Sequence, residues 1–215
     1  MILPALSPLY IVCDADACAL AGWTLTDFAN ACLDGGATLL QLRAKHASSR
    51  DFLANTERLM PRAIAAHATV IINDRADIAR IAGAHGVHVG QDDVTPAAVR
   101  KVVGATAIVG LSTHTPEQLV TAVREPVQYL AIGPVFGTHT KDTGYEPVGL
   151  DAVRRAADIA RTAHLPVVAI GGITLERSSD VLRAGATSVA VISDILVGND
   201  PAARTRAFLE RLARV

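Results

Sequence analysis

Short apolar runs rich in β-branched residues recur along the chain, and between them the apolar positions shift to a spacing of three and four. The runs are LYIVCD at 9–14, ATLLQLRAK at 37–45, TVIIND at 69–74, GVHVG at 86–90, AIVGLS at 107–112, VQYLAIGPV at 127–135, PVVAIGG at 166–172 and SVAVIS at 188–193. The segments between them have helical spacing, as in Phe52, Leu53, Met60 and Ile64, or Leu119, Val120 and Val123. Helix starts are marked: Thr95-Pro96 and Asp200-Pro201 each set a favoured N-cap before a proline, and Thr115-Pro116-Glu117-Gln118 adds a capping-box partner. Gly35, Gly83, Gly104 and Gly185 fall where helices should stop.

Near-continuous apolar strands alternating with helices predict a parallel sheet covered on its outer face. Eight strand–helix units of roughly 27 residues each predict a (β/α)8 TIM barrel, read as a single domain over residues 1–215. A doubly wound open sheet competes, but eight strands that close on themselves leave no edge to cover. No linker-like Gly/Ser-rich or Pro-rich stretch divides the chain, and the longest irregular piece is FGTHTKDTGYEPVG at 136–149. A loop that long in so economical a chain calls for a functional explanation.

Composition removes several function classes. With 50% hydrophobic and 19% charged residues the chain is globular rather than disordered. Lys+Arg number 20 against 21 Asp+Glu, a net charge of −1 with no basic run, which argues against a nucleic-acid partner. No apolar stretch reaches the roughly 18 residues that span a bilayer, so no membrane association is expected. The start MILPALSPLYIVCD lacks the positive region of a secretory signal, and a cytoplasmic location is expected. Cys13, Cys18 and Cys32 are odd in number with no second cluster to complete a zinc site, and read as buried thiols. A net charge near zero permits a homodimer without requiring one.

In a barrel, chemistry gathers at the strand C-termini. In the second strand a period of two sets Gln41, Arg43 and Lys45 on one side, facing the lumen or mouth, and Leu40, Leu42 and Ala44 on the helix side. Two inward cations need anions, supplied either by neighbouring carboxylates or by a ligand. The third strand ends in Asn73-Asp74 and the fourth leads into Gln91-Asp92-Asp93. Asp74 and Asp93 could salt-bridge Arg43 and Lys45, cap the following helices, or hold Mg²⁺, which favours one or two carboxylates plus waters and substrate phosphates. His88, inside a strand, reads as a satisfied core histidine rather than a ligand. Ser112 is a candidate hydroxyl at the mouth, with no basic partner at a spacing that marks a nucleophile; Thr113 and Thr115 fit the start of the next helix. Thr138, Thr140 and Lys141 on the long loop suit anion capture. Gly171-Gly172 after the seventh strand and Ile192-Ser193 after the eighth, leading into the short segment Asp194-Ile195-Leu196-Val197, match a recurrent phosphate site of barrels. The face thus predicts two anion pockets: a metal-assisted one from strands two to four with Lys141, and a metal-free one from strands seven and eight.

The motifs QLRAK, IND, GVHVGQDD, GLSTHT, GPVFGTHTK, AIGGI and VAVIS, in this order from Leu9 to the eighth strand, resemble the thiamine phosphate synthase family. The resemblance implies a (β/α)8 barrel that joins a hydroxymethylpyrimidine diphosphate to a hydroxyethylthiazole phosphate, with Mg²⁺, releasing pyrophosphate. Carried onto this chain, it implies that Gln41, Arg43, Lys45, Asn73, Ser112 and Lys141 hold the pyrimidine diphosphate. Arg43, Lys45, Ser112 and Lys141 are the implied catalytic set, and Asp74 and Asp93 the metal ligands. Thr138, Thr140, Gly172, Ile192 and Ser193 would hold the thiazole phosphate. One departure is Ala44, where the family usually has glutamate; by the strand period this side chain points outward, away from the chemistry. Two rivals compete with synthesis: a related barrel that isomerises a thiazole carboxylate phosphate, and a non-catalytic barrel that binds a phosphorylated ligand and regulates. The tautomerase would not need the Asp74/Asp93 pair or the full cation set.

Overall fold

The computed structural model describes residues 6–137 and 144–215. Strands β1 (Leu9–Asp14), β2 (Leu39–Arg43), β3 (Thr69–Asn73), β4 (Gly86–Val89), β5 (Ile108–Thr113), β6 (Tyr129–Ile132), β7 (Val167–Ile170) and β8 (Ser188–Val191) close into a parallel barrel in sequence order, with β8 pairing β1. The helices are α1 (Ala15–Leu20), α2 (Leu25–Asp34), α3 (Ser49–Ala65), α4 (Ala76–Ile81), α5 (Pro96–Val103), α6 (Pro116–Ala122), α7 (Gly149–Arg161), α8 (Leu175–Arg183) and α9 (Pro201–Leu212), with a 3₁₀ helix at Ser193–Asn199 before α9.

The predicted caps act as such. Thr95 accepts the Ala98 N–H, Thr115 the Gln118 N–H and Asp200 the Ala203 N–H, each ahead of a first-turn proline that has no N–H to satisfy. The second half of the expected capping box is displaced. Gln118 Oε1 accepts from His114 N–H at 2.7 Å, one residue before the cap, and so ties the end of β5 to α6.

Two layers of apolar packing follow from the period of two. Outward side chains such as Ile11, Cys13, Leu40, Leu42, Val87 and Val109 pack against the helices in the larger core. Ala44 is buried in that outer layer, so the residue that departs from the family pattern faces helices as expected. Inward side chains, among them Tyr10, Val12, Leu39, Ile71, Tyr129 and Val168, fill the lumen. Gly110 is what lets Tyr129 cross the lumen: a Cβ there would lie 2.0 Å from Tyr129 Cζ. Cys13, Cys18 and Cys32 are buried and unbridged, and burial pushes the Cys18 thiol up to about 12, which keeps it protonated and inert.

The segments with helical spacing are helices, and the structure now shows which of their apolar residues face the core. On α3 the buried stripe is Phe52, Thr56, Leu59, Met60 and Ala63, whereas Ile64 is 59% exposed. On α6 Leu119 and Ala122 are buried while Val120 is 49% exposed. An apolar residue one step round the helix at 100° per residue leaves the stripe even though it continues the apolar run. Leu59→Ala is therefore expected to cost about 2–5 kcal/mol and Ile64→Ala to stay within about 0.5 kcal/mol. Denaturant unfolding of the two variants checks this, and similar losses would contradict the assignment of faces.

Candidate active site

Alternation along each strand delivers one last inward side chain at the C-terminal end, and these define the floor of a cavity of about 770 Å³. Asp14, Gln41, Arg43, Asn73, His88 and Ser112 line one side, from β1 to β5. Gly171, Gly172, Ile192 and Ser193 line the other, from β7 and β8. The structure thus gathers the predicted residues Gln41, Arg43, Asn73, Ser112, Gly172, Ile192 and Ser193 around a single space. Thr138, Thr140 and Lys141 lie outside the described residues.

Arg43 does not meet either predicted metal carboxylate. Its guanidinium is ion-paired with Asp14 at the end of β1, with the two side chains 13% and 4% exposed. Asp14 Oδ1 also accepts the Ala17 N–H at 3.0 Å and caps α1, so one carboxylate fixes both the helix start and the arginine. Arg43 Nε is buried and has no partner among the described residues, which leaves the guanidinium with donor capacity beyond the Asp14 pair.

Lys45, expected toward the lumen or mouth, lies two residues beyond the end of β2 and does not line the cavity. Its ammonium sits 3.1 Å from Asp74 Oδ2 at the rim. Asp74 has left-handed backbone (φ 60°) and donates its N–H to His88 O at 2.8 Å, which turns its side chain across to Asp93. Asp93 Oδ2 accepts the Gly90 N–H at 2.8 Å. Burial, and next the Asp93 carboxylate, raise the Asp74 carboxyl above its usual range despite the lowering effect of Lys45. Neither carboxylate lines the cavity; two of them held close against their own repulsion form a donor set that would fit Mg²⁺, which favours one or two carboxylates together with waters and substrate phosphates.

Ser112 has a basic partner after all. Its Oγ lies 2.8 Å from His88 Nε2 on the neighbouring strand, and the group on the far side of that ring is the Tyr129 hydroxyl, 2.8 Å from Nδ1. His88 is buried and fully engaged in the lumen, as a core histidine should be. A phenol in the position where a nucleophile's base would have a carboxylate argues for a binding hydroxyl rather than an attacking one.

On the opposite side, Gly172 has φ 59°, and a Cβ there would fall 2.4 Å from Gly137 O and 2.9 Å from Phe136 Cβ. Only glycine allows the β7 turn to approach the β6 loop this closely. Ser193 opens the 3₁₀ helix, whose next residue, Asp194, accepts the Leu175 N–H at 3.1 Å and pairs with Arg204 at 2.6 Å. The Ser193 turn is thereby braced against α8 and α9. Arg177 on α8 reaches back over Phe136, 4.9 Å from the ring centroid, and lines the cavity.

Comparison with known proteins now adds a decisive observation: residues 9–195 match the family model described as thiamine monophosphate synthase. The chain belongs to that family. It is 49% identical over 208 residues to a thiamine-phosphate synthase of Koribacter versatilis, covering 95% of each chain. It is 44% identical to one from Roseiflexus sp., over 86% of this chain and 77% of the relative. A solved thiamine phosphate pyrophosphorylase from Pyrococcus furiosus superposes with a TM-score of 0.85 at 27% identity, over 96% of this chain and 95% of that one.

Several lining residues of this thiamine monophosphate synthase family member escaped sequence reading. Tyr10 and Asp14 share the inward side of β1 with Val12, and the period of two applied there would have exposed them. His114, which lines the cavity with Nδ1 2.5 Å from Gly133 O and its ring stacked on Tyr145, follows β5 and carries no periodic signal.

Asp74→Asn should separate the two roles of the rim cluster. Removing one of two crowded carboxylates, at a left-handed position that asparagine tolerates, is expected to leave the metal-free melting temperature unchanged or higher. The exposed Lys45 pair that is lost contributes at most about 1 kcal/mol. The same variant should lose the Mg²⁺-dependent rise, which a single site supplies at about 2.7 kcal/mol for a hundredfold excess over Kd. Thermal unfolding with and without Mg²⁺ measures both, and an undiminished Mg²⁺ response would count against the ligand assignment.

Proposed function

We propose that this chain condenses 4-amino-2-methyl-5-hydroxymethylpyrimidine diphosphate with 4-methyl-5-hydroxyethylthiazole phosphate, giving thiamine phosphate and pyrophosphate. The observation that carries this reading is one cavity with two chemically different ends: Arg43, Asn73 and Ser112, with the Asp74/Asp93 pair outside the lining and Asp74 following directly on Asn73, and facing them the Gly172 and Ser193 turns. A diphosphate that must leave suits the first end, and a monophosphate that stays suits the second. The reading takes residues 1–215 as one barrel domain, in the cytoplasm, whose partners are two small phosphorylated heterocycles and neither nucleic acid nor membrane. In support, no helix among the described residues is long and apolar enough to cross a membrane.

The reaction breaks the bond between the pyrimidine methylene carbon and the diphosphate oxygen, which keeps the electron pair. The cationic methylene left behind is delocalised into the aminopyrimidine, and the thiazole ring nitrogen forms the new C–N bond with its own lone pair. No proton has to be removed for that attack, which agrees with a site that offers donors and cations rather than a nucleophile and base. Arg43, Lys45 and Ser112 stabilise the charge on the departing diphosphate by preorganised electrostatics, and Lys141 joins them by family resemblance. Mg²⁺ bound by Asp74 and Asp93 would supply Lewis-acid neutralisation of the diphosphate. Gln41 and Asn73 orient the pyrimidine; Gly172, Ile192 and Ser193, with Thr138 and Thr140, hold the thiazole phosphate.

The tautomerase reading leaves the Asp74/Asp93 pair without a purpose. The regulatory reading gives no reason to crowd two carboxylates beside one lysine, a costly arrangement in the absence of a ligand to organise. Incubating the protein with Mg²⁺ and both substrates should yield pyrophosphate and thiamine phosphate in equal amounts. No product above a chelated control would reject synthesis. Gly172→Val should raise the KM for thiazole phosphate at least tenfold, about 1.4 kcal/mol, with a smaller effect on the pyrimidine diphosphate, because a side chain there both strains the turn and fills the approach. An unchanged thiazole KM would contradict the placement of that phosphate.

A further inference from the structure

Five side chains form one unbroken hydrogen-bonded chain across the lumen at the floor of the cavity. Gln41 Nε2 donates to the Tyr10 hydroxyl at 2.8 Å; the Tyr10 and Tyr129 hydroxyls are 3.0 Å apart; Tyr129 lies 2.8 Å from His88 Nδ1; and His88 Nε2 lies 2.8 Å from Ser112 Oγ. Gln41, Tyr10, His88 and Ser112 each line the cavity, while Tyr129 does not. Burial pushes both phenols well up, so each hydroxyl carries one proton to give.

That proton count makes the chain directional. When Gln41 donates to Tyr10, the Tyr10 proton goes to Tyr129 and the Tyr129 proton goes to His88 Nδ1. A neutral His88 then carries its proton on Nε2 and gives it to Ser112 Oγ, which frees the serine O–H to donate into the cavity. If the Gln41 amide is turned over, every step reverses: Ser112 spends its proton on His88 and can only accept. The two orders differ at both ends at once, because a member in between that reversed alone would set two donors or two acceptors against each other at 2.8–3.0 Å.

We propose that the Gln41–Tyr10–Tyr129–His88–Ser112 chain is a relay of hydrogen-bond polarity that couples recognition of the pyrimidine's exocyclic amine to presentation of a Ser112 proton to the departing diphosphate. An amine donor selects the Gln41 orientation with Oε1 toward the cavity, and that orientation is the one that makes Ser112 a donor. An oxo group in place of the amine selects the reverse and leaves the diphosphate facing serine lone pairs. The relay therefore rejects a pyrimidine of the same shape and wrong polarity at the catalytic step as well as in binding. Tyr129 touches no substrate and acts as a positioning residue. This inference rests on the reading that the pyrimidine diphosphate occupies the Gln41 and Ser112 side of the cavity.

The test reads the ring nitrogens of His88 by ¹⁵N NMR in the full chain with Mg²⁺ and no thiazole phosphate. With the aminopyrimidine diphosphate bound, the proton is expected on Nε2; with the 4-oxo analogue it is expected on Nδ1. The same tautomer with both ligands, or Nδ1–H with the aminopyrimidine, would overturn the relay. Because this measurement needs no variant, it stands even if substitutions fail to fold. Tyr129→Phe should lower kcat on the order of tenfold, the worth of one lost hydrogen bond of this kind, with the KM for thiazole phosphate unchanged. In a Ser112→Ala background the same change should cost nothing further, since the relay then has no end to serve. Losses that multiply, or a Tyr129→Phe enzyme with full kcat, would refute it. Synthesis by the wild type with an unresponsive His88 removes the relay alone, whereas a responsive His88 without synthesis keeps the relay and removes the reading beneath it.

Discussion

Closure of the sheet is the constraint from which the rest follows. Eight parallel strands wound in sequence order leave a narrow lumen into which every second side chain must go, and no water can be relied on there to satisfy a polar group. The lower lumen is filled by apolar groups and by Tyr10 and Tyr129, whose hydroxyls find one another at 3.0 Å. Higher up, each inward polar residue either bonds to a neighbour or faces the cavity. Gly110 belongs to the same constraint, since a side chain in its place would displace the Tyr129 ring.

Much of this arrangement was legible in the sequence because period and position are local properties. The eight strands and their order follow from runs a few residues long, and Arg43, Asn73 and Ser112 stand out because each is the last inward residue of its strand. What stayed hidden depends on register between strands. The partner of Arg43 is Asp14 because β1 and β2 place those two residues side by side, and nothing within either segment states that. The pairing of Ser112 with His88 likewise arises two places past the His88–Gly110 register. The period of two does not separate lumen from mouth, so it leaves open that Lys45 lies past the strand end beside Asp74, and an apolar run does not say which of its members, such as Ile64 and Val120, turns to solvent.

The two ends of the cavity differ in how they treat charge, and the difference is itself informative. Around Gly172 and Ser193 the proposed anion site is made of turns fixed by backbone geometry and by the Asp194–Arg204 brace. On that reading such a site would hold a phosphate in the same way before, during and after reaction. At the other end Arg43 is instead paired with Asp14, and Lys45, outside the lining, with Asp74, carboxylates that the proposed diphosphate would have to compete with. A site whose cations have resident partners binds its anion less tightly than one whose cations stand alone, but it can release that anion and re-form its own pairs at little cost. For a group that departs as free pyrophosphate, stabilisation has to grow as the bond breaks without trapping the product. Paired cations over a preorganised hydroxyl meet that requirement better than a bare cationic nest, and the asymmetry of the rim matches a reaction in which one phosphate group leaves and the other remains.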